Sequence, residues 1–135
     1  MNHWLMKTEP DTFSWDDLVR DKKTGWDGVR NFQARSHLKA MKKGDLAFFY
    51  HTGDEKAVIG IAKVTREGYP DPGDNEWVAV EIAPVNKLKS VVTLAQIKAD
   101  KRLANMVLVK ASRLSVQPVR KEEFDMIIAL SEGKG

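Results

Sequence analysis

Between Gly25 and Leu38 the chain gathers an indole (Trp26), two guanidiniums (Arg30 and Arg35), the amide of Asn31 and two glycines (Gly25 and Gly28). An indole offers a stacking face, a guanidinium is a rigid planar donor fork, and an amide both donates and accepts. Together these groups suit a nucleobase and its phosphate. A glycine beside a helix start lets a ligand come close to the backbone. The first N–H groups of that helix have no internal partners and carry partial positive charge. Taken by itself, the stretch is equally compatible with a core tryptophan flanked by solvated arginines.

Other residues extend the same chemistry. Trp4 lies three positions before Lys7, so an aromatic face and a cation can border one cavity. Arg113 and Ser115 alternate to one face of an expected strand, where they are either rim or pocket floor. Trp15 and Trp77 are expected to pack into the core. Glu9 and Asp27 could act as an acid/base pair if they met, although acidic residues beside turns are usually solvated. His3, His37 and His51 lack the spacing and the cysteine partners of a metal site, so no metal is expected. Glycine-rich phosphate loops and a nucleophile elbow are also missing, and no cofactor is implied. Binding is therefore favoured over catalysis.

The elements that must position these groups can be read from periodicity and caps. His3 to Lys7 reads as a strand stopped at Pro10, which cannot donate to a ladder. Ser14 with Asp17 opens a helix of about two turns carrying Trp15, Leu18 and Val19 on one side. Asn31 is the N-cap of a second helix with Phe32, Ala34, Leu38 and Met41 at helical spacing, closed by Lys42-Lys43-Gly44. Leu46 to His51 is a dense apolar strand, joined by a turn at 52–56 to a strand from Ala57 to Val64. Gly60 within that strand marks a bulge or a close approach. Gly68 to Asn75, with two prolines and two glycines, reads as a surface loop before a strand from Trp77 to Pro84. Thr93 and Gln96 form a capping box for a short helix. Leu103 to Val109 is apolar without a clear period, Ser112 to Val119 alternates as a strand, and Lys121 to Leu130 is a final amphipathic helix. Helices inserted among several strands, with no sustained β-α-β alternation, favour a small mixed barrel.

The 135 residues, 42% hydrophobic and 30% charged, suit one soluble domain over 1–135. The chain has no cysteine, which removes disulfides and thiolate chemistry. No apolar run approaches the roughly 20 residues of a membrane span, and no signal peptide is read, so the cytoplasm is the expected compartment. A net charge of +3 permits nucleic acid as a partner without requiring it.

Five ordered motifs carry a family resemblance: Trp4-Leu5-Met6-Lys7-Thr8-Glu9-Pro10, Trp26 through Arg35, Gly44 through His51, Tyr69-Pro70-Asp71-Pro72, and Arg113 through Val119. They cover nearly the whole chain, which resembles an EVE domain. Thr8, Ser36 and Thr52 are small departures from the residues frequent in that family, and only Ser36 lies near the expected pocket. The resemblance implies an α+β, PUA-like fold: a mainly antiparallel β-barrel, closed or nearly closed, with surrounding helices. It also implies a non-catalytic pocket for a modified base, above all a modified cytosine in DNA such as 5-methylcytosine or an oxidised form. Modified transfer or ribosomal RNA, or an enzyme acting on a nucleotide-like small molecule, are the alternatives. The residues it assigns to nucleic-acid binding are Trp4, Lys7, Trp26, Gly28, Val29, Arg30, Asn31, Arg35, Tyr50, His51, Arg113 and Ser115. The expected partner is a nucleic acid containing a modified base, bound by a monomer. One further expectation is that Trp4, Trp26, Arg30 and Tyr50 line a single pocket.

Overall fold

The structure, a computed structural model, describes residues 1–133. Along the chain come β1 (His3–Thr8), α1 (Trp15–Asp21), β2 (Thr24–Trp26), α2 (Phe32–Ala40), β3 (Leu46–His51), β4 (Ala57–Asp71) and β5 (Asp74–Thr93). After these come α3 (Leu94–Ala99), a 3₁₀ turn (Lys101–Leu103), α4 (Val107–Lys110), β6 (Val116–Val119) and α5 (Lys121–Ser131). Among the described residues the strands form one six-stranded sheet in the order β2-β5-β4-β3-β1-β6. Every neighbouring pair is antiparallel except β1 with β3. The α+β, mainly antiparallel architecture is the expected one. The parallel β1–β3 pair was not foreseen, and no ladder joins the two edge strands β2 and β6, so hydrogen bonding does not close the barrel.

The apolar runs of β1 and β3 are continuous because both faces of the sheet are covered. Trp4, Met6, Ala47 and Phe49 join one core with α1 and α2, whereas Leu5, Phe48 and Tyr50 join a second core with α3 to α5. In β4, Ala57 and Ile59 face the first core, as do Ala62 and Val64, so the alternation slips by one residue around Gly60. The register of β4 against β5 shifts there as well. A Cβ on Gly60 would lie 2.7 Å from the Trp15 ring, so both the bulge and the close approach expected at this glycine are present.

Local signals held where their partners are near in sequence. Reciprocal capping boxes at Ser14/Asp17 and Thr93/Gln96 are both formed, and the Asn31 amide oxygen accepts the Ala34 N–H at 2.9 Å. Three other expectations need correction. The stretch Gly68 to Asn75 is not a loop: β4 runs through Pro70 to Asp71 and turns tightly into β5. Pro70 is tolerated because the ladder is irregular beside it. The final strand is only Val116–Val119, so Arg113 and Ser115 precede it and do not share a strand face. Phe32 and Val19 lie on the solvent side of their helices, not on the core face.

Candidate nucleic-acid interface

A cavity of about 530 Å³ opens where the sheet fails to close. It is lined by the end of β1 (Lys7, Thr8), Glu9, Thr12 and Phe13, by β2 (Thr24, Gly25, Trp26), by Asp27 to Arg30, and by Ser115 ahead of β6. Its volume falls in the range of small-molecule sites. Two aromatic side chains, Trp26 and Phe13, line it and rest on the buried Phe49, which meets Trp26 edge-on at 5.7 Å and Phe13 at 6.3 Å between centroids. Trp26 is only 9% exposed, so its ring is fixed by packing, and the remaining surface borders the cavity. Thr24 and Ser115 add hydroxyls, and Val29 adds an apolar wall.

The rim is held by a carboxylate. Asp71 is 4% exposed and accepts hydrogen bonds from Arg30 Nη1 at 2.9 Å, Gly28 N–H at 2.8 Å and Gly73 N–H at 2.7 Å. The Arg30 hydrogen bond, with help from the two backbone donors, holds its carboxyl at about 2. Gly28 sits at φ +76°, a left-handed conformation that suits glycine. Its N–H is engaged by Asp71, so the glycine shapes the loop without offering that donor to a ligand. At Gly25 a Cβ would lie 2.7 Å from the Tyr69 hydroxyl, so a side chain there would collide with β4.

Of the residues expected at the site, Lys7, Trp26, Gly28, Val29, Arg30 and Ser115 line this cavity. The Lys7 ammonium donates to the Ser112 carbonyl and lies 5.7 Å from the Tyr50 ring centroid. Burial lowers its pKa. Six others lie elsewhere. Trp4 is 5% exposed and donates its indole N–H to Asp45 Oδ2 at 3.0 Å, a core anchor. Tyr50 alternates to the opposite face of the sheet and is buried in the second core. His51 has both ring nitrogens engaged: Nε2 accepts the Trp15 N–H at 3.0 Å, and Nδ1 lies 2.7 Å from Glu55 Oε1, so the ring caps α1. Asn31 is committed to its own cap and borders, with Arg113, a shallower depression outside the cavity. Arg35 rests on Phe32 and Trp77. The expected four-residue pocket therefore reduces to Trp26 and Arg30.

Sequence reasoning passed over Phe13, Thr12, Thr24 and Asp71. Phe13 immediately precedes the Ser14 cap, the position used by a hydrophobic staple, which was a readable signal. Asp71 followed two residues later by Gly73 is an Asx-turn pattern, which could have marked a hairpin. Trp77 is also not core: it is partly exposed and stacked on Phe32 at 5.1 Å. Glu9 and Asp27 both line the cavity.

The α+β sheet, mainly antiparallel and not closed between β2 and β6, has a PUA-like fold with an aromatic, arginine-rimmed cavity. The EVE domain family pattern matches residues 2–130, and this chain belongs to that family. Human thymocyte nuclear protein 1 is 38% identical over 167 aligned positions, covering 97% of this chain and 74% of that protein. A protein from Rhodopseudomonas palustris solved by NMR superposes with a TM-score of 0.95 at 45% identity, over 100% of this chain and 96% of that one. The human thymocyte nuclear protein 1 structure in complex with DNA containing 5-methylcytosine superposes with a TM-score of 0.92 at 36% identity, over 98% of each chain.

Proposed function

We propose that this chain holds one modified cytosine of DNA, 5-methylcytosine or an oxidised derivative, in the cavity at the sheet seam and does no chemistry on it. The observation that carries the reading is the human relative's complex with 5-methylcytosine DNA, similar over 98% of both chains. The cavity supports it by its composition. Trp26 and Phe13 offer rigid apolar surface to a flat ring, Thr24 and Ser115 offer hydroxyls to its edge, and Val29 offers contact to a methyl group. Arg30, oriented in advance by Asp71, stands at the rim where the strand's phosphate must pass. A base inside a duplex cannot reach such a cavity, so it is extruded at a cost of a few kcal/mol.

A second reading rests on Glu9 and Asp27 bordering the same cavity, which would suit acid/base work on a nucleotide. Mass spectrometry of nucleosides after incubation with 5-methylcytosine oligonucleotides separates the two. Unchanged nucleosides are expected. Turnover that disappears in Glu9→Gln or Asp27→Asn would put the enzyme first. Titration of the matching RNA in parallel is expected to give weaker binding than DNA, and tighter binding would move the reading to modified RNA.

A further inference from the structure

Outside the cavity, Phe32 and Trp77 stack with centroids 5.1 Å apart and planes 28° from parallel. The Arg35 guanidinium lies beside both rings, 4.9 Å from Phe32 and 5.2 Å from Trp77, and the Arg30 guanidinium is 5.5 Å from Trp77. Phe32 is 68% exposed, although it occupies the first position of α2, where periodicity would let it turn inward. Single exposed apolar residues are ordinary on protein surfaces. This one belongs to a set of two aromatics and two guanidiniums contributed by α2, the loop before it and β5.

Two features point to the occupant. Arg30 belongs to both places: it lines the cavity and it lies against Trp77, so the aromatic pair begins at the cavity rim. Arg35 donates to the Glu76 backbone carbonyl at 2.9 Å, a neutral acceptor, and forms no ion pair among the described residues, so its positive charge stays uncancelled there. An exposed aromatic face next to an uncancelled cation is the combination by which single-stranded nucleic acid is held, base on ring and phosphate on guanidinium. We infer that Phe32, Trp77 and Arg35 form a second subsite that stacks the nucleobase adjacent to the one in the cavity, with Arg35 on the connecting phosphate. This rests on the cavity reading above and adds a contact that an isolated nucleoside cannot make.

The test compares wild type with Phe32→Ala, whose exposed side chain can be removed without opening the core. One ligand is the free nucleoside 5-methyl-2′-deoxycytidine. The other is a single-stranded oligonucleotide with 5-methylcytosine next to 2-aminopurine. Phe32→Ala should bind the nucleoside like wild type, bind the oligonucleotide about tenfold or more weakly, and lose the quenching of 2-aminopurine fluorescence. Equal oligonucleotide affinity and quenching in both proteins, with nucleoside binding intact, would overturn the subsite and leave the cavity reading standing. Phe32-dependent oligonucleotide binding without nucleoside binding would overturn the cavity reading, and with it the assignment of Phe32 to the base next to the cavity, leaving a separate aromatic contact. Wild type that binds neither ligand would overturn both.

Discussion

Two buried aspartates do the same chemistry in different parts of the molecule. Asp45 accepts from the Trp4 indole, from Asn2 N–H and from Lys42 N–H, tying the start of β1 to the turn before β3. Asp71 accepts from Arg30, Gly28 and Gly73, tying the loop before α2 to the β4–β5 turn. Burial pushes the Asp45 carboxyl upward, but its three hydrogen bonds outweigh that and hold it below the ordinary carboxylate value. Asp71 goes lower because one of its donors is a cation. The difference is the partner. Asp45's donors are all neutral and lie away from the cavity, whereas Asp71 holds a guanidinium on the cavity rim. Similar carboxylate clusters therefore pin a strand start in one place and shape the cavity rim in the other.

The largest effect on stability should come from Asp45→Ala, which leaves three donors unpaired around a buried position and should cost about 2–4 kcal/mol in denaturant unfolding. Affinity of the folded protein for a 5-methylcytosine oligonucleotide should stay unchanged. A large affinity loss would erase the distinction between the two aspartates. Asp71→Ala should cost about 1–3 kcal/mol, because Arg30 is partly exposed and can turn to water. Its mark should be functional: freed of its anchor, Arg30 no longer waits at the rim, and oligonucleotide affinity should fall several-fold or more.

A smaller effect should sharpen the comparison through acid. The Asp71 pKa is depressed in the folded state, from an ordinary 3.8 to about 2. Its contribution is therefore complete above the unfolded value and is lost as the pH falls through the folded one. Unfolding free energy of the wild type should decline between about pH 4 and pH 2, and Asp71→Ala should decline less steeply over that window. Identical slopes in the two proteins would mean that Arg30 and the glycine N–H groups do not stabilise the carboxylate.

What the sequence disclosed and what it withheld divide along the range of the interactions. The caps at Ser14, Asn31 and Thr93 close over three residues, so residue types announce them. Gly60 was legible because a glycine weakens an apolar strand unless a bulge or a close neighbour requires it. The Arg30–Asp71 pair spans 41 residues and depends on β4 extending through Pro70, which composition disguised as a loop. Trp4 and Tyr50 were misplaced for another reason. Strands buried on both faces carry no polar alternation, so nothing in β1 or β3 says which face a residue takes. His51 was misread because the Trp15 N–H, 36 residues away, becomes its neighbour only once α1 has packed.

If the modified base occupies the cavity, plugging the cavity should abolish its recognition. Thr12 lines it, is exposed, and can be enlarged without disturbing the core. Calorimetric titration of wild type and Thr12→Trp with otherwise identical oligonucleotides, carrying cytosine or 5-methylcytosine at one position, should show a preference for 5-methylcytosine in the wild type alone. The plugged variant should keep only weak, salt-dependent binding of both. Equal wild-type affinity for the two oligonucleotides, or a preference that survives the plug, would contradict recognition of the base in this cavity.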